Sequence, residues 1–242
     1  MKTVNHETFI TVNNLEKKYG TFSALKNVSF EIKQNEIVGV IGPNGAGKST
    51  LFRILCTLLE PSGGEVKLMN CNSVENSVKI RELIGYMPEE GGLYVKHSGE
   101  TNLRFYTMFY KKCINHNQKI DYYLDMFDLI RNKKVGKYSK GMKQKLLFIK
   151  SIVHDPLIIL LDEPFSSMDP ETRHKIKRIL HDKHKEGKVI IISSHSLTDI
   201  EGLCDRLLVL KEGKIICDDR AETLYQKFSD YSLEEIFLKL ME

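Results

Sequence analysis

The sequence predicts an α/β fold with a mostly parallel sheet, because apolar blocks alternate along the chain with helical patterns. Each block is continuously apolar, which is typical of a strand that is covered on both faces. The four blocks are residues 37–41, 157–161, 189–193 and 206–210. Ligands of such folds bind beyond the carboxyl ends of the strands. We therefore expect the chemistry of this protein where these blocks end.

The remaining segments predict two additions to this core. Residues 9–12 and 28–32 alternate in polarity around Gly20-Thr21, which favours antiparallel strands laid on the core. Residues from about 88 to 154 show helical stretches and no convincing strand, so we expect a helical lobe inserted between core segments of about 1–87 and 155–242. Two further helices are predicted, a charge-rich one at 171–186 and an amphipathic one at 232–241.

Composition excludes several classes of protein. Of 242 residues, 41% are hydrophobic and 28% are charged, so wholesale disorder is excluded. A formal charge of +4 gives no argument for nucleic acid or anionic lipid. No apolar run approaches the roughly 20 residues of a membrane span, and we expect no secretory signal. The five cysteines form no C-x-x-C pair, which favours a reduced cytosolic protein: Cys56, Cys71, Cys113, Cys204 and Cys217.

A glycine-rich segment between a predicted strand and a predicted helix at 51–59 fits G-x-x-x-x-G-K-[ST] at every fixed position. Such a loop directs backbone N–H groups at phosphate oxygens. Lys48 supplies charge for the β- and γ-phosphates, and the Ser49 hydroxyl is placed to bind Mg²⁺. An ordinary strand-to-helix turn is the alternative. The candidate nucleotide-binding residues are Gly42, Pro43, Asn44, Gly45, Ala46, Gly47, Lys48, Ser49 and Thr50.

The second apolar block ends on two carboxylates, Asp162 and Glu163. Carboxylates at the end of a buried strand are costly unless they serve a cation or a water molecule. Asp162 is therefore expected to hold Mg²⁺, through water, since this ion dehydrates reluctantly. Glu163 is placed to polarise an attacking water. The alternative is that the pair only caps the turn at Pro164.

With these two motifs, the chain resembles the nucleotide-binding subunit of an ATP-binding cassette (ABC) transporter over nearly its whole length. Tyr19 lies 23 residues before Gly42, where the family places an aromatic residue that stacks on adenine. Three further segments match family elements in order. They are GYMPE at 85–89, like the loop that enters the helical lobe, YSKGMKQ at 138–144, like the signature motif, and SMD at 167–169, like the D-loop. His195 matches the switch histidine.

The resemblance implies a RecA-like P-loop NTPase core with an N-terminal antiparallel β-subdomain and an inserted helical subdomain. It also implies that two cassettes, identical or paralogous, sandwich two ATP molecules with Mg²⁺ head to tail. The phosphate loop of one cassette then faces Ser139 and Gly141 of the other. His195 is implied to hydrogen-bond the γ-phosphate, and Asp169 to make contacts across the dimer.

Two positions depart from the commonest family pattern. Glu89 stands where the loop usually carries Gln; a carboxylate can bind Mg²⁺ directly but cannot donate a hydrogen bond. Its position after Pro88 favours Glu89 over Glu90 as the residue that faces the metal. Lys140 replaces a signature glycine, and it either adds positive charge near the nucleotide or points into solvent.

This form of the signature resembles that of the family branch that pairs with ABC-2-type membrane subunits. The members of this branch are largely exporters. The resemblance implies a peripheral protein at the cytoplasmic face of the membrane that hydrolyses ATP to drive transport. In the family, the groove beside residues 93–110 receives a cytoplasmic helix of the membrane subunit. The alternatives are a soluble ABC ATPase without a membrane partner and a nucleic-acid-handling ATPase. Only about 50 residues separate Glu89 from Ser139, too few for the coiled coil of the latter, so we expect no nucleic acid partner.

Three histidines lie on one predicted helix, where they form either a metal site or a plain polar surface. They are His174, His181 and His184.

Overall fold

The computed structural model describes residues 7–110, 115–228, 231 and 233–241. Within these residues the strands form two sheets. In chain order the strands are β1 (Thr8–Tyr19), β2 (Phe22–Lys33), β3 (Ile37–Ile41), β4 (Gly63–Leu68), β5 (Cys71–Asn72), β6 (Ile84–Met87), β7 (Ile158–Asp162), β8 (Val189–Ser194), β9 (Arg206–Lys211) and β10 (Lys214–Arg220). Cys113 and Ser232, which the sequence analysis considered, lie outside the described residues.

Helices surround both sheets. They are α1 (Lys48–Leu55), α2 (Ser77–Leu83), α3 (Gly99–Thr107), α4 (His116–Met126), α5 (Lys140–Ile152), α6 (Pro170–Lys185), α7 (Leu197–Ile200), α8 (Ala221–Lys227) and α9 (Leu233–Met241), with a 3-10 turn at Val135–Lys137. In the part of the chain that the structure describes, none of these helices has the length and apolar character that crossing a bilayer requires.

The larger sheet has the order β10-β9-β3-β8-β7-β6. Its pairs are parallel except β9 with β10, which are antiparallel at one edge. All four predicted apolar blocks are strands of this sheet, and three of them, β3, β7 and β8, are buried at every position. The predicted α/β class is confirmed.

The smaller sheet is antiparallel, with the order β2-β1-β4-β5. β1 and β2 form a long hairpin whose last pair is Tyr19 opposite Phe22, with Gly20-Thr21 as its two-residue turn. The two predicted segments are therefore parts of longer strands. Strand β4, which the sequence analysis did not predict, pairs with β1. An N-terminal antiparallel sheet is confirmed.

Two apolar cores hold the architecture. One lies under the antiparallel sheet and contains Phe52 of α1, and the other contains Phe127 and Phe148 and extends from the larger sheet into the helices between β6 and β7. This segment contains α3, α4 and α5 and no strand among its described residues. The segment 85–89 was predicted to be a loop, but its first three residues belong to β6 (Ile84–Met87). Gly85 allows close packing of this strand because a Cβ there would lie 1.7 Å from the Ser151 carbonyl oxygen.

Helix boundaries differ from the predicted ones by a few residues. The helix predicted at 51–59 begins three residues earlier, at Lys48, and ends at Leu55, because Thr57 has a left-handed φ of 57°. The charge-rich helix is α6, which begins at Pro170. Asp169 caps it by accepting a hydrogen bond from the N–H of Thr172 at 2.8 Å.

Candidate functional site

The phosphate loop connects β3 to α1, and two of its positions require glycine. Gly47 has a φ of 110°, and a Cβ there would lie 2.6 Å from the Ala24 carbonyl oxygen. A Cβ at Gly42 would lie 2.2 Å from the Leu210 carbonyl oxygen on β9. The tight packing against neighbouring strands fixes the loop, and α1 follows with its N-terminal end toward the loop.

Lys48 is the first residue of α1 and is only 6% exposed. Its ammonium group donates to the carbonyl oxygens of Gly42 at 2.7 Å and Pro43 at 3.3 Å. It also lies 3.5 Å from Glu163 Oε1, and both side chains of this ion pair are buried. A buried ammonium group beside the loop provides the positive charge that a bound phosphate chain needs.

Asp162 ends β7 with a carboxylate that two hydroxyl groups stabilise. Ser193 of β8 donates to Asp162 Oδ1 at 2.6 Å, and the Ser49 hydroxyl group of α1 favours the ionised carboxylate. Burial raises the pKa of Asp162 above its ordinary value, partly offset by these two hydroxyl groups. A nearby divalent cation would favour the ionised form, and the hydroxyl and carboxylate oxygens here are the ligand types that Mg²⁺ prefers.

Glu163 follows with an unusual backbone conformation, a φ of 52°. Its N–H donates to Ser193 Oγ at 2.9 Å, and its carboxylate lies between the side chains of Lys48 and His195. Oε1 faces Lys48, and Oε2 accepts a hydrogen bond from His195 Nδ1 at 2.8 Å. Strained backbone of this kind persists where the surroundings hold it, and it is common at active sites.

Lys48, Ser49 and Glu163 border a cleft of about 360 Å³. One end of the cleft is formed by the tip of the β1–β2 hairpin, where Tyr19 is 46% and Phe22 61% exposed. The other end reaches Glu163 and Glu89, with residues 44–50 between the two ends. Glu90 lines a different cavity, of about 530 Å³, so the structure brings Glu89, not Glu90, to the phosphate loop.

Ser139 and Gly141 lie outside this cleft. Ser139 caps α5 by accepting a hydrogen bond from the N–H of Met142 at 3.2 Å, and both Ser139 and Lys140 are exposed. A Cβ at Gly141 would lie 3.2 Å from the Ser167 carbonyl oxygen, so the signature segment touches the D-loop. Within one chain, therefore, the signature segment does not reach the phosphate loop cleft.

Three residues that contact the predicted ones were not predicted from the sequence. They are Phe22 beside Tyr19, Ser193 between Asp162 and Glu163, and Arg173 beside the D-loop. Phe22 carried a signal, its position three residues after Tyr19 at the hairpin tip, whereas Ser193 and Arg173 are polar residues in unremarkable sequence contexts. Gln144, the last residue of the signature segment, has a buried amide that donates to the Glu89 carbonyl oxygen at 2.9 Å.

The predicted histidine face of α6 forms no metal centre. No group of three or more His, Cys, Asp or Glu side chains suited to a metal ion occurs among the described residues. His184 instead lies 3.0 Å from the Asn35 carbonyl oxygen through its Nε2.

The fold and this cleft define a nucleotide-binding protein of the P-loop class. A family model described as "ABC transporter" matches residues 25–166, more than half of the chain. The chain therefore belongs to the ABC transporter family, as an ATP-binding subunit. It is 34% identical over 243 residues to the "Probable multidrug ABC transporter ATP-binding protein YbhF" of Escherichia coli (strain K12). That match covers 97% of this chain but only 42% of YbhF.

Solved structures of ATP-binding cassettes have the same fold as this chain. "Structure of ATP binding subunit of ABC transporter" superposes with a TM-score of 0.90 at 28% identity, covering 97% of this chain and all of that one. A dimeric post-hydrolysis state of the cassette MJ0796, bound to ADP and Pi, matches with a TM-score of 0.79 at 26% identity, covering 87% of this chain and 98% of that one. The chain is an ABC-type ATPase that binds ATP.

Proposed function

We propose that this chain hydrolyses ATP with Glu163 as the base that activates water and His195 as its partner at the γ-phosphate. The observation that carries this proposal is the contact of Glu163 with both Lys48 at 3.5 Å and His195 at 2.8 Å, beside the phosphate loop. Lys48 neutralises the phosphate charge, while His195 orients the carboxylate. Tyr19 and Phe22 contact the adenine base of ATP at the other end of the cleft.

Mg²⁺ is proposed to be held by Ser49, Asp162 and Glu89. The fit rests on the favourable interaction of the Ser49 hydroxyl group with the Asp162 carboxylate, on the position of Ser49 and Glu89 in the same cleft, and on the all-oxygen character of these side chains. When bound, the ion neutralises charge on the β- and γ-phosphates. Few protein ligands suffice, because Mg²⁺ keeps several waters and binds phosphate oxygens as well.

The active unit is proposed to be a head-to-tail dimer of two cassettes. Its support is the separation, within one chain, of Ser139 and Gly141 from the phosphate loop, which leaves them available to a second chain. Ser139 is exposed at the N-terminal end of the 13-residue helix α5, where free N–H groups attract an anion. The similar cassette MJ0796, which is dimeric in a post-hydrolysis state bound to ADP and Pi, supports a dimer.

The dimer is proposed to drive transport, in the direction of export, through an ABC-2-type membrane partner at the cytoplasmic face of the membrane. A groove of about 380 Å³ borders Leu93, Phe105 and Phe109 and suits a helix of that partner. Its aromatic rings form a row, with centroids of Tyr94 and Phe105, and of Phe105 and Phe109, each 5.3 Å apart. The multidrug designation of YbhF supports export.

The dimer is tested with a pair of variants that each damage one half of a composite site. Ser139→Arg should bind ATP as the parent does but not hydrolyse it, and Lys48→Ala should not bind tightly. Mixed in equal amounts, the two should regain hydrolysis, because one intact site forms in the mixed dimer. Full activity of Ser139→Arg alone would remove the composite site.

The membrane partner is tested separately, by affinity purification of the chain from gently solubilised membranes. A stoichiometric protein with hydrophobic spans would support the transporter. If Phe105→Glu loses this membrane protein while the purified variant still hydrolyses ATP, the membrane protein binds in the groove. A chain that stays in the soluble fraction alone would favour the alternative, a soluble ABC ATPase.

A further inference from the structure

Arg173 on α6 joins two segments that border the proposed active site. Its Nε donates to the Met168 carbonyl oxygen in the D-loop at 3.1 Å. Its Nη1 donates to Asp199 Oδ1 in α7 at 2.6 Å, in an ion pair. The rigid guanidinium fork allows both contacts at once, which a lysine ammonium group on a flexible stem does not reproduce.

Asp199 lies four residues after His195, within the single turn of α7. The Asp199 side chain is only 12% exposed, whereas that of Arg173 is 40% exposed, so the pair is half-buried. Charge-assisted hydrogen bonds are short, and the 2.6 Å distance agrees. The ion pair therefore fixes α7 relative to α6.

The position of the His195 side chain depends on such contacts, because the side chain is not buried. This side chain is 57% exposed, in contrast to the 8% exposure of the Glu163 side chain that it contacts. The segment that carries it is tied on one side by Ser194, whose hydroxyl accepts from the N–H of Ser196 at 3.0 Å, and on the other by Asp199.

The D-loop end of Arg173 adds a second connection. Ser167 has a left-handed φ of 60°, and its carbonyl oxygen lies near Gly141 of the signature segment. Lys145 of α5 also approaches Asp169 Oδ2, at 3.7 Å. The D-loop is thus connected to Asp199 through the Met168 carbonyl group and Arg173.

We propose that Arg173 is a positioning residue that holds His195 at Glu163 through Asp199 and couples this contact to the D-loop. The proposal rests on the proposed function, in which His195 and Glu163 act at the γ-phosphate. Arg173 itself touches neither ATP nor the reacting atoms. Arg173 determines the position of the His195 imidazole ring.

The test compares kcat, KM and ATP affinity of Arg173→Gln, Arg173→Lys and Asp199→Asn with the parent. Arg173→Gln and Asp199→Asn should each lower kcat about tenfold, since misplacing a catalytic group by about 1 Å costs up to about a hundredfold. ATP affinity should not change, and Arg173→Lys should recover part of kcat. Arg178→Gln, on an exposed site of the same helix, is the matched control and should behave as the parent.

Epistasis separates positioning from a general structural effect. In a His195→Ala background, Arg173→Gln should lower kcat no further, because there is no imidazole left to position. An equal loss of kcat in both backgrounds, or parent-like kcat of Arg173→Gln while His195→Ala is slow, would overturn the proposal and leave the proposed function intact. A parent-like rate of His195→Ala would remove the catalytic role of His195, and the proposal with it.

A spectroscopic measurement does not depend on turnover. In protein with nitrogen-15-labelled histidine, the His195 imidazole resonances are assigned by their absence in His195→Ala. They should shift in Arg173→Gln and in the nearly isosteric Asp199→Asn, but not in Arg178→Gln. Unchanged His195 resonances in folded Asp199→Asn would contradict the proposal.

Discussion

Ser193 donates its hydroxyl hydrogen to Asp162 Oδ1 over 2.6 Å and thereby joins the carboxyl ends of two neighbouring strands. The Ser193 Oγ also accepts a hydrogen bond from the N–H of Glu163 at 2.9 Å. A single buried hydroxyl group thus holds both acidic residues of the site. Its position follows from the register of β7 and β8, in which Asp162 stands opposite Ser193.

Replacing Ser193 by alanine should therefore slow hydrolysis more than it weakens ATP binding. The change leaves the Glu163 N–H and one lone pair of Asp162 without partners, at a cost of about 1–3 kcal/mol for a buried group. We expect kcat to fall by about 5-fold to 150-fold, which is this cost expressed as a rate factor. The control is Ser151→Ala, which removes a buried hydroxyl group that bonds only the Phe148 carbonyl oxygen. Equal kinetics for both variants would contradict the assignment.

Lys48→Ala should abolish tight ATP binding, measured by calorimetry. The change removes the buried ammonium group beside the loop and leaves Glu163 without its 3.5 Å partner. Lys67→Ala, at an exposed lysine on β4, is the control for a lost positive charge and should bind as the parent does. Parent-like affinity of Lys48→Ala would refute the phosphate loop assignment.

Tyr19→Ala and Phe22→Ala should each weaken ATP binding about tenfold, since stacking a base on an aromatic ring is worth about 1–3 kcal/mol. Both residues stand opposite each other at the hairpin tip, so their side chains leave the sheet on the same face. Inorganic triphosphate, which has no base, provides the control ligand. Its affinity should be the same for the parent and both variants; a parallel loss would indicate a distorted phosphate loop instead.

His154 should make the folded protein lose stability as the pH falls. Burial lowers the pKa of His154 from 6.5 to about 4, and the ring lies against Tyr110 with centroids 3.9 Å apart. The folded state therefore binds fewer protons than the unfolded state between these values. Stability that is present above pH 6.5 is lost toward pH 4, with about 2 kcal/mol lost between about pH 7 and 5.

Urea unfolding of His154→Gln at the two pH values measures this contribution. The variant should lose about 2 kcal/mol less than the parent between about pH 7 and 5. His181→Gln, at an exposed histidine on α6, should keep the parent slope. An unchanged slope in His154→Gln would show that His154 titrates normally.

Local sequence patterns were sufficient for the parts of the site that short segments define. The phosphate loop needs only glycines between a strand and a helix, and Asp162 and Glu163 stand where a continuous apolar block ends. Both signals arise within about ten residues, and the structure places them together because parallel strands end at one edge of the sheet.

Contacts between distant segments left no such signal. Ser193 appears in the sequence as a polar end to an apolar strand, and only the register of β7 and β8 brings it to Asp162. Arg173 and Asp199 are 26 residues apart, and Arg173 lies on the charge-rich helix α6, where most charged residues are solvated. Strand β10 was missed because its sequence, KIICDDR, has a short apolar run followed by three charged residues, so the alternating exposure of this edge strand is not visible in its polarity.

The measurement that tests the central claim most directly is the sedimentation of Glu163→Gln with ATP and Mg²⁺. This variant keeps the shape of the side chain but lacks the base, so ATP should bind, bring two cassettes together and remain unhydrolysed. We predict a species of twice the single-chain mass, and a single-chain species when Ser139→Arg is added to Glu163→Gln. Hydrolysis by Glu163→Gln at the parent rate, or a single chain saturated with ATP, would contradict the account.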